Sequence, residues 1–326
     1  MSAAALIEQA QRTGTKLVLV GDTRQLQAID AGAAFRAIQD RVGGVELIDV
    51  RRQQYQADRE MAKAFRDGRA AEALQNLNDR GLLHVEKTTE QAQHKAVENY
   101  LRDVADGKAT VILAATRREV RDLNQAARAE FRMAGVLRGE DVAILTSRGE
   151  RVFTEGDRVV FLRNSHDLDV KNGTTGEVLK VDDRIMRVQL ADGSERIVNH
   201  ATHYSHVDHG YALTVHKAQG ATVDRAHVVA GEMTGREWSY VATSRAREET
   251  RVYTTKEAMG REAKQSLEKA DLARDMGRSH AKDTTQDYQP APGSDSTRNI
   301  DTGRESSDSS AHSSISRETE AIVRER

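Results

Sequence analysis

The sequence predicts an α/β protein: an open parallel sheet flanked by helices, interrupted by a small all-β insert and followed by an unpacked polar tail. Three observations carry that reading. Short continuous apolar runs alternate with segments whose apolar residues recur at helical spacing, the pattern of βαβ units. Between Val152 and Val198 the pattern changes to short alternating strands separated by turn pairs. From about Arg278 onward the chain is Ser, Thr, Asp, Arg and Gly with almost no apolar residues, too few to offset the entropy of ordering it.

The elements follow in order. Ala3–Arg12 reads as a helix stopped by Gly14, and Lys16–Val20 is an apolar run, the mark of a strand buried on both faces. Gly21–Asp22 breaks that run, a helix covers Ala33–Gln39, and Val45–Val50 reads as a second buried strand. Asp58–Asn78 spaces Met61, Phe65, Ala73, Leu74 and Leu77 as a helix, and Glu90–Val104 repeats the pattern. Thr110–Ala115 is a third buried strand, followed by a helix over Glu119–Met133. The β-rich style begins at Arg151, with turns at Asn172–Gly173, Asp182–Asp183 and Asp192–Gly193, and reads as a small barrel. The α/β style then returns: strands at Tyr211–Val215 and Ala226–Val229, a short helix over Trp238–Arg247, and a last strand at Arg251–Thr254. A short helix-like patch at Glu318–Arg326 ends the tail.

Lys and Arg total 49 against 51 Asp and Glu in 326 residues, a net charge of −2. That excludes a wholesale electrostatic binder of the histone type but leaves room for a local basic groove. With no cysteine there is no disulfide, no Cys-based zinc site and no thiol nucleophile. No apolar run reaches the ~18 residues of a membrane span, and Met1–Leu6 reads as no secretory signal. A bacterial cytoplasmic location is the expectation. Both prolines, Pro290 and Pro292, fall in the tail.

Four segments place polar residues where buried strands end, the position at which open parallel sheets bind ligands. In Gly21-Asp22-x-x-Gln25-Leu26, Gln25 can donate and accept at once, which suits a residue that positions water or senses a phosphate. An ordinary βα turn capped by Asp22 fits this segment equally well. Arg51-Arg52-Gln53 could clamp phosphate through bidentate bonds, or be a solvated pair. Thr214-x-His216-Lys217-x-Gln219-Gly220 crowds hydroxyl, imidazole and ammonium donors after an apolar strand, a set able to bond backbone phosphates. Tyr240-Val-Ala-x-Ser244-Arg245-x-Arg247 reads alone as an amphipathic helix.

In this order the four segments resemble motifs III, IV, V and VI of superfamily 1 DNA helicases of the RecD type. The nearest likeness is to the C-terminal half of conjugative relaxase–helicase proteins, over about residues 1–255. Phe153-x-x-Gly156-Asp157-Arg158 with Asn172-Gly173-x-x-Gly176 resembles the SH3-like barrel which that family carries before motif V. The resemblance implies a remnant of a first RecA-like lobe at 1–42 and a second, P-loop-NTPase-type lobe at 43–150 and 206–258. It further implies the barrel at 151–205, a helical extension at 259–277 and a disordered tail at 278–326. It makes Gln25, Arg52 and Arg245 catalytic, the two arginines acting as fingers on a transferring phosphate. Gly21, Asp22, Gln53, Gln219 and Gly220 would line the nucleotide cleft, and Thr214, His216 and Lys217 would contact single-stranded DNA. The implied cofactors are ATP and Mg²⁺, and the implied polarity is 5′ to 3′.

The family's phosphate loop has no counterpart here. No G-x-x-x-x-G-K-[ST] occurs, and Gly107–Lys108 is followed by Ala109. The acidic Mg²⁺-binding pair is likewise missing. The chain therefore reads as a fragment of a longer helicase, inactive toward ATP unless an N-terminal helicase or relaxase portion is supplied in cis or in trans. The competing expectation is a non-catalytic DNA-binding or interaction module descended from such a motor. His200, His203, His206 and His209 recur every third residue, a spacing that alternates faces on a strand and drifts around a helix, so no metal site is assigned.

Overall fold

The computed structural model describes residues 3–26, 34–45, 52–231, 234–258 and Met276. The chain divides into two units, one of Met1–Thr23, Gln27–Glu46 and Ala281–Arg326, the other of Arg24–Leu26 and Leu47–His280. The expected tail, its terminal patch and the strand at Val45–Val50 lie outside the described residues, apart from Val45, which is exposed. Of the expected helical extension only Met276 is described, and it is buried.

In the first unit, α1 (Ala3–Thr13) and α2 (Ala34–Val42) are the described helices. Gly14 ends α1 at φ +66°, the left-handed step that a helix C-terminus commonly takes and glycine adopts without strain. The run Lys16–Val20 is not the doubly buried strand the sequence predicts. Leu17 and Leu19 make isolated bridges, Leu17 to Leu19 are half-buried, and Val20 is exposed. The described residues of this unit offer no sheet to cover both faces of that run. Gly21 lies close under the Phe35 ring: a Cβ there would stand 3.1 Å from it, and the ring would have to give by a few tenths of an ångström.

The second unit opens with α3 (Gln56–Arg66) and α4 (Ala70–Asp79). One apolar phase runs through both, but the chain breaks between them at Gly68, φ +78°. Then come β1 (Leu83–Glu86), α5 (Thr89–Ala105), β2 (Thr110–Ala114) and α6 (Arg117–Met133). A Thr side chain caps each of these last two helices. Thr88 accepts from the Gln91 amide, and Thr116 forms a reciprocal box with Glu119, satisfying amides the helix cannot. The antiparallel strands β3 (Arg138–Thr146), β4 (Gly149–Glu155), β5 (Arg158–Phe161), β6 (Thr175–Val181), β7 (Ile185–Leu190), β8 (Glu195–Asn199) and β9 (Val207–His209) follow. The chain closes with β10 (Ala212–Thr214), β11 (Val223–Val229), α7 (Arg236–Thr243) and β12 (Ala246–Thr255).

The main sheet is parallel, in the order β1-β12-β11-β2-β10. Strand alternation assigns its two cores. Val111 and Leu113 of β2 face Met61, Phe65, Leu74, Trp238 and Val241 from α3, α4 and α7. Ile112 and Ala114 face Ala96, Tyr100, Leu123 and Phe131 from α5 and α6. Burial lifts the Tyr100 hydroxyl to about 12, so the phenol stays neutral. Asn124 of α6 donates to the Ala212 carbonyl at 3.2 Å and accepts from the Ala212 amide at 2.8 Å.

The insert starts earlier than the sequence predicts, at Arg138 rather than Arg151. Its sheet runs β8-β7-β6-β5-β9 beside the separate β3–β4 hairpin, around Phe153, Val159, Phe161, Val178, Met186 and Val198. It is an antiparallel sheet with its own apolar core. Asp157, fully buried, fastens it to the lobe. Its carboxylate accepts both Arg128 Nε contacts at 3.1 Å, the Tyr211 hydroxyl at 2.6 Å and the Thr154 amide at 2.7 Å.

A second buried charge sits at the N-terminal ends of the strands. Asp103 of α5 receives Arg225 and Arg251, and stands 3.0 Å from Nε2 of the wholly buried His227. His227 Nδ1 meets the Tyr253 hydroxyl at 2.9 Å, and Asn99 donates to that oxygen at 2.9 Å. Burial pushes the Asp103 carboxyl up, but the His227 and Arg225 bonds outweigh it and hold it down at about 2. Burial holds His227 neutral, below its ordinary range. Both signs point the same way. The unfolded chain takes up a proton at His227 below about pH 6.5, and at Asp103 below about pH 4, before the folded one does. Thermal melts across pH 8 to 2 are expected to fall below about pH 6.5 and more steeply between about 4 and 2. Asp103→Asn should remove the lower step.

Candidate nucleotide and nucleic-acid site

Arg52, Gln53 and Arg245 converge on one residue. Arg52 Nη1 donates to the Ser244 carbonyl at 2.8 Å. Gln53 Nε2 donates to that same oxygen at 3.2 Å and to the Ala246 carbonyl at 3.1 Å. The Gln54 amide adds a bond to the Arg247 carbonyl at 2.7 Å. These bonds use carbonyls left open where α7 ends and β12 begins. Burial lowers the Arg52 pKa, Tyr240 working against it. Arg245 is 2% exposed. Its Nε donates to the Val241 carbonyl at 2.7 Å, and Nη2 to the Ser244 hydroxyl at 2.9 Å. The helix expected over Trp238–Arg247 ends at Thr243, and Arg247 already lies on β12.

The Thr214–Gly220 loop follows β10 as a series of turns. The Lys217 and Ala218 amides donate to the Thr214 carbonyl at 2.9 and 3.1 Å, and Gln219 donates to the His216 carbonyl at 3.3 Å. Gly220 closes the loop at φ +89°. His216 and Gln219 are exposed, and Lys217 is half-buried. Burial lowers the pKa of both His216 and Lys217. Gln219 Nε2 lies 3.4 Å from Gln25 Oε1 and 3.5 Å from the Leu26 carbonyl. The structure thus brings Gln25 and Gln219 together, whereas Gly21 and Asp22 belong to the first unit.

The insert holds this loop from the other side. Lys217 Nζ donates to Asn172 Oδ1 at 3.0 Å. Gly173, φ +93°, approaches so closely that a Cβ would stand 2.8 Å from the Lys217 carbonyl oxygen. Asn172–Gly173 therefore serves this contact, in the long connection between β5 and β6, and not a tight hairpin turn. The four spaced histidines take separate surroundings. His200 Nε2 meets the Asp182 carbonyl at 2.9 Å, and His209 Nε2 the Val152 carbonyl at 2.8 Å. His203 meets Thr202, and His206 packs edge-on to Tyr204. Among the described residues, no group of three or more His, Asp or Glu stands together to hold a metal.

Arg128, Asp157, Asn124 and Arg117 are the residues that sequence reasoning passed over. Asp157 stood in a motif, but its partners lie 29 and 54 residues away. Arg117 was legible only as the cation that opens α6, three residues beyond the end of β2.

Comparison with known proteins gives three kinds of likeness. Residues 1–88 match the AAA domain family, and residues 209–253 match the UvrD-like helicase C-terminal domain. The conjugal transfer protein TraA of Agrobacterium fabrum is 39% identical over 289 residues, covering 88% of this chain and 26% of that protein. The ATP-dependent RecD2 DNA helicase of Deinococcus radiodurans is 26% identical over 242 residues, 72% of this chain and 32% of the relative. The RecD subunit of the RecBCD enzyme of Mycolicibacterium smegmatis is 28% identical over 270 residues, 76% and 47% respectively. The chain spans about a quarter of the length of the conjugal transfer relatives it matches.

Proposed function

The chain belongs with the RecD-type superfamily 1 helicases of conjugal transfer proteins, and on that premise we propose that it is the second motor lobe of an ATP-dependent translocase on single-stranded DNA. The observation that carries the reading is the convergence of Arg52, Gln53 and Arg245 on Ser244. Two forked cations held beside one strand end suit a polyphosphate. ATP, when bound, supplies the phosphoryl transfer that drives movement. Arg52 and Arg245 stabilise charge on the transferring group, and Gln25, in contact with Gln219, senses it. Thr214, His216 and Lys217 take the DNA, and the insert acts as an SH3-like module bracing them. The Mg²⁺ ligands and the phosphate loop, which the sequence does not contain, would come from an N-terminal helicase or relaxase segment. That segment partners this chain in the bacterial cytoplasm.

Two observations favour a second reading, a DNA-binding module without catalysis. Arg245 is buried and bonded to its own helix, and the sequence contains no phosphate loop. Both readings expect the isolated chain to bind DNA and not to turn over ATP. Fluorescence anisotropy with labelled oligo(dT) tests the shared part. Binding should weaken linearly in log salt, by about 0.7 per phosphate neutralised. No binding at low salt would sink both readings, and DNA-stimulated turnover by this chain alone would sink the dependence on a partner.

A further inference from the structure

Residues 1–46 belong to the first unit with one exception: Arg24, Gln25 and Leu26 group with the second. Three contacts hold this tripeptide there. Leu26 packs against the core that includes Phe65, Leu74 and Val241. Gln219 Nε2 lies 3.4 Å from Gln25 Oε1 and 3.5 Å from the Leu26 carbonyl. Arg24 Nη1 donates to Asp67 Oδ1 at 3.3 Å.

Asp67 stands where the chain turns from α3 to α4. Its amide donates to the Lys63 carbonyl at 2.9 Å, and Gly68 follows at φ +78°. Phe65, Arg66 and Ala70 around it are buried, so the carboxylate projects from a packed corner. It also accepts Arg66 Nε at 3.0 Å and Arg69 Nη2 at 3.5 Å. Burial pushes the Asp67 carboxyl up, but the Arg66 and Arg69 bonds and the field of Arg24 outweigh it and hold it below the ordinary range.

The three contacts differ in kind. Apolar packing of Leu26 is non-directional, and the Gln219 contacts are at the long limit of a hydrogen bond. The guanidinium–carboxylate bond is the directional one, and it falls on the residue next to Gln25. Arg24 and Asp67 are 38% and 26% exposed, and water screens such a pair, so it adds little to stability. What it fixes is where the backbone of Gln25 sits. We propose that Arg24 and Asp67 are positioning residues for Gln25: the bend between α3 and α4 sets the register at which Gln25 meets Gln219 and senses the transferring phosphate. The proposal rests on the motor reading above. Arg24 falls on an unassigned position of its motif-like segment, and Asp67 lies outside all four segments.

The chain has no cysteine, so thiols introduced by Gln25→Cys and Gln219→Cys report their own spacing. A short bis-maleimide should join them in the full chain. Adding Arg24→Ala or Asp67→Asn should slow that joining about 3- to 10-fold, because the effective concentration of one thiol at the other falls. Arg24→Lys, which keeps the charge, should recover most of the rate. Glu72→Gln, which removes an acidic partner of Arg69 at the same bend but none of Arg24, should leave it unchanged. The thermal melt of Arg24→Ala should coincide with that of the unaltered chain. With Gln25 and Gln219 intact and a phosphate-loop segment supplied, Arg24→Ala should lower kcat for DNA-stimulated hydrolysis about 10-fold, with the KM for ATP within about 2-fold, the sign of a misplaced group and not of lost binding. Joining rate and kcat both indifferent to Arg24→Ala would overturn the proposal alone. A lowered melting temperature accompanying the slower joining would overturn it in favour of a merely structural ion pair. No hydrolysis by the unaltered mixture would remove the motor reading and the phosphate-sensing role with it, whereas the joining rates would still decide the register.

Discussion

Replacing Asp157 with alanine is expected to cost about 3–5 kcal/mol of folding stability, the range for breaking a fully buried ion pair. The carboxylate is fully buried and serves three donors on different elements: Arg128 of α6, Tyr211 before β10 and the Thr154 amide of β4. Its loss leaves each without its acceptor, and the Arg128 charge keeps only its solvent-side partner Asp141. Against a typical total of about 5–15 kcal/mol, this is a large fraction. Urea unfolding measures it, and a shift below about 1 kcal/mol would contradict the account. Arg128→Ala combined with Asp157→Ala should cost clearly less than the sum of the single changes, because the orphaned charge leaves with its partner. The first structure to loosen should be the insert, seen as faster hydrogen exchange over 138–209.

The second large effect concerns catalysis. Mixed with a separately expressed segment that carries a phosphate loop, the chain is expected to show DNA-stimulated ATP hydrolysis, and Arg245→Ala should lower it about 10³-fold or more, the scale of an arginine finger. Arg245→Lys should restore little, since a point charge lacks the planar fork. In the chain alone Arg245 bonds Val241 and Ser244 and is 2% exposed. It reaches a phosphate only after leaving the α7 carbonyl, so a nucleotide-bound complex should expose it. Trypsin cleavage at Arg245, slow in the isolated chain, should become faster in that complex. Restored hydrolysis that is indifferent to Arg245→Ala would favour the non-catalytic module.

How much of this was legible beforehand differs by element. The parallel sheet was, because β2 reads as an unbroken apolar run, and the Ala226–Val229 end of β11 is buried although Asp224, Arg225 and His227 interrupt its sequence. The strand β1 was not: Leu83-His-Val-Glu86 lies at one end of the sheet and is half-buried throughout, so it carries neither a run nor a clean alternation. The division of Asp58–Asn78 into two helices was hidden because the apolar phase continues across the break at Gly68. The polar segments were visible as strand-end clusters, but not their mutual contacts. Nothing in the spacing of Gln53 and Ser244, 191 residues apart, announces a shared carbonyl.

Asn124 gives the last consequence. Ala212 belongs to an outermost strand, and its amide and carbonyl point away from the β2 neighbour whose bonds are taken up by Tyr211 and Val215. An unprotected rim of that kind is a template for pairing with another chain. The Asn124 side-chain amide, offering one donor and one acceptor in the geometry of a peptide group, stands in for the missing neighbour at that residue. A single side chain thus occupies the one rim peptide, that of Ala212, which would otherwise be open to another chain.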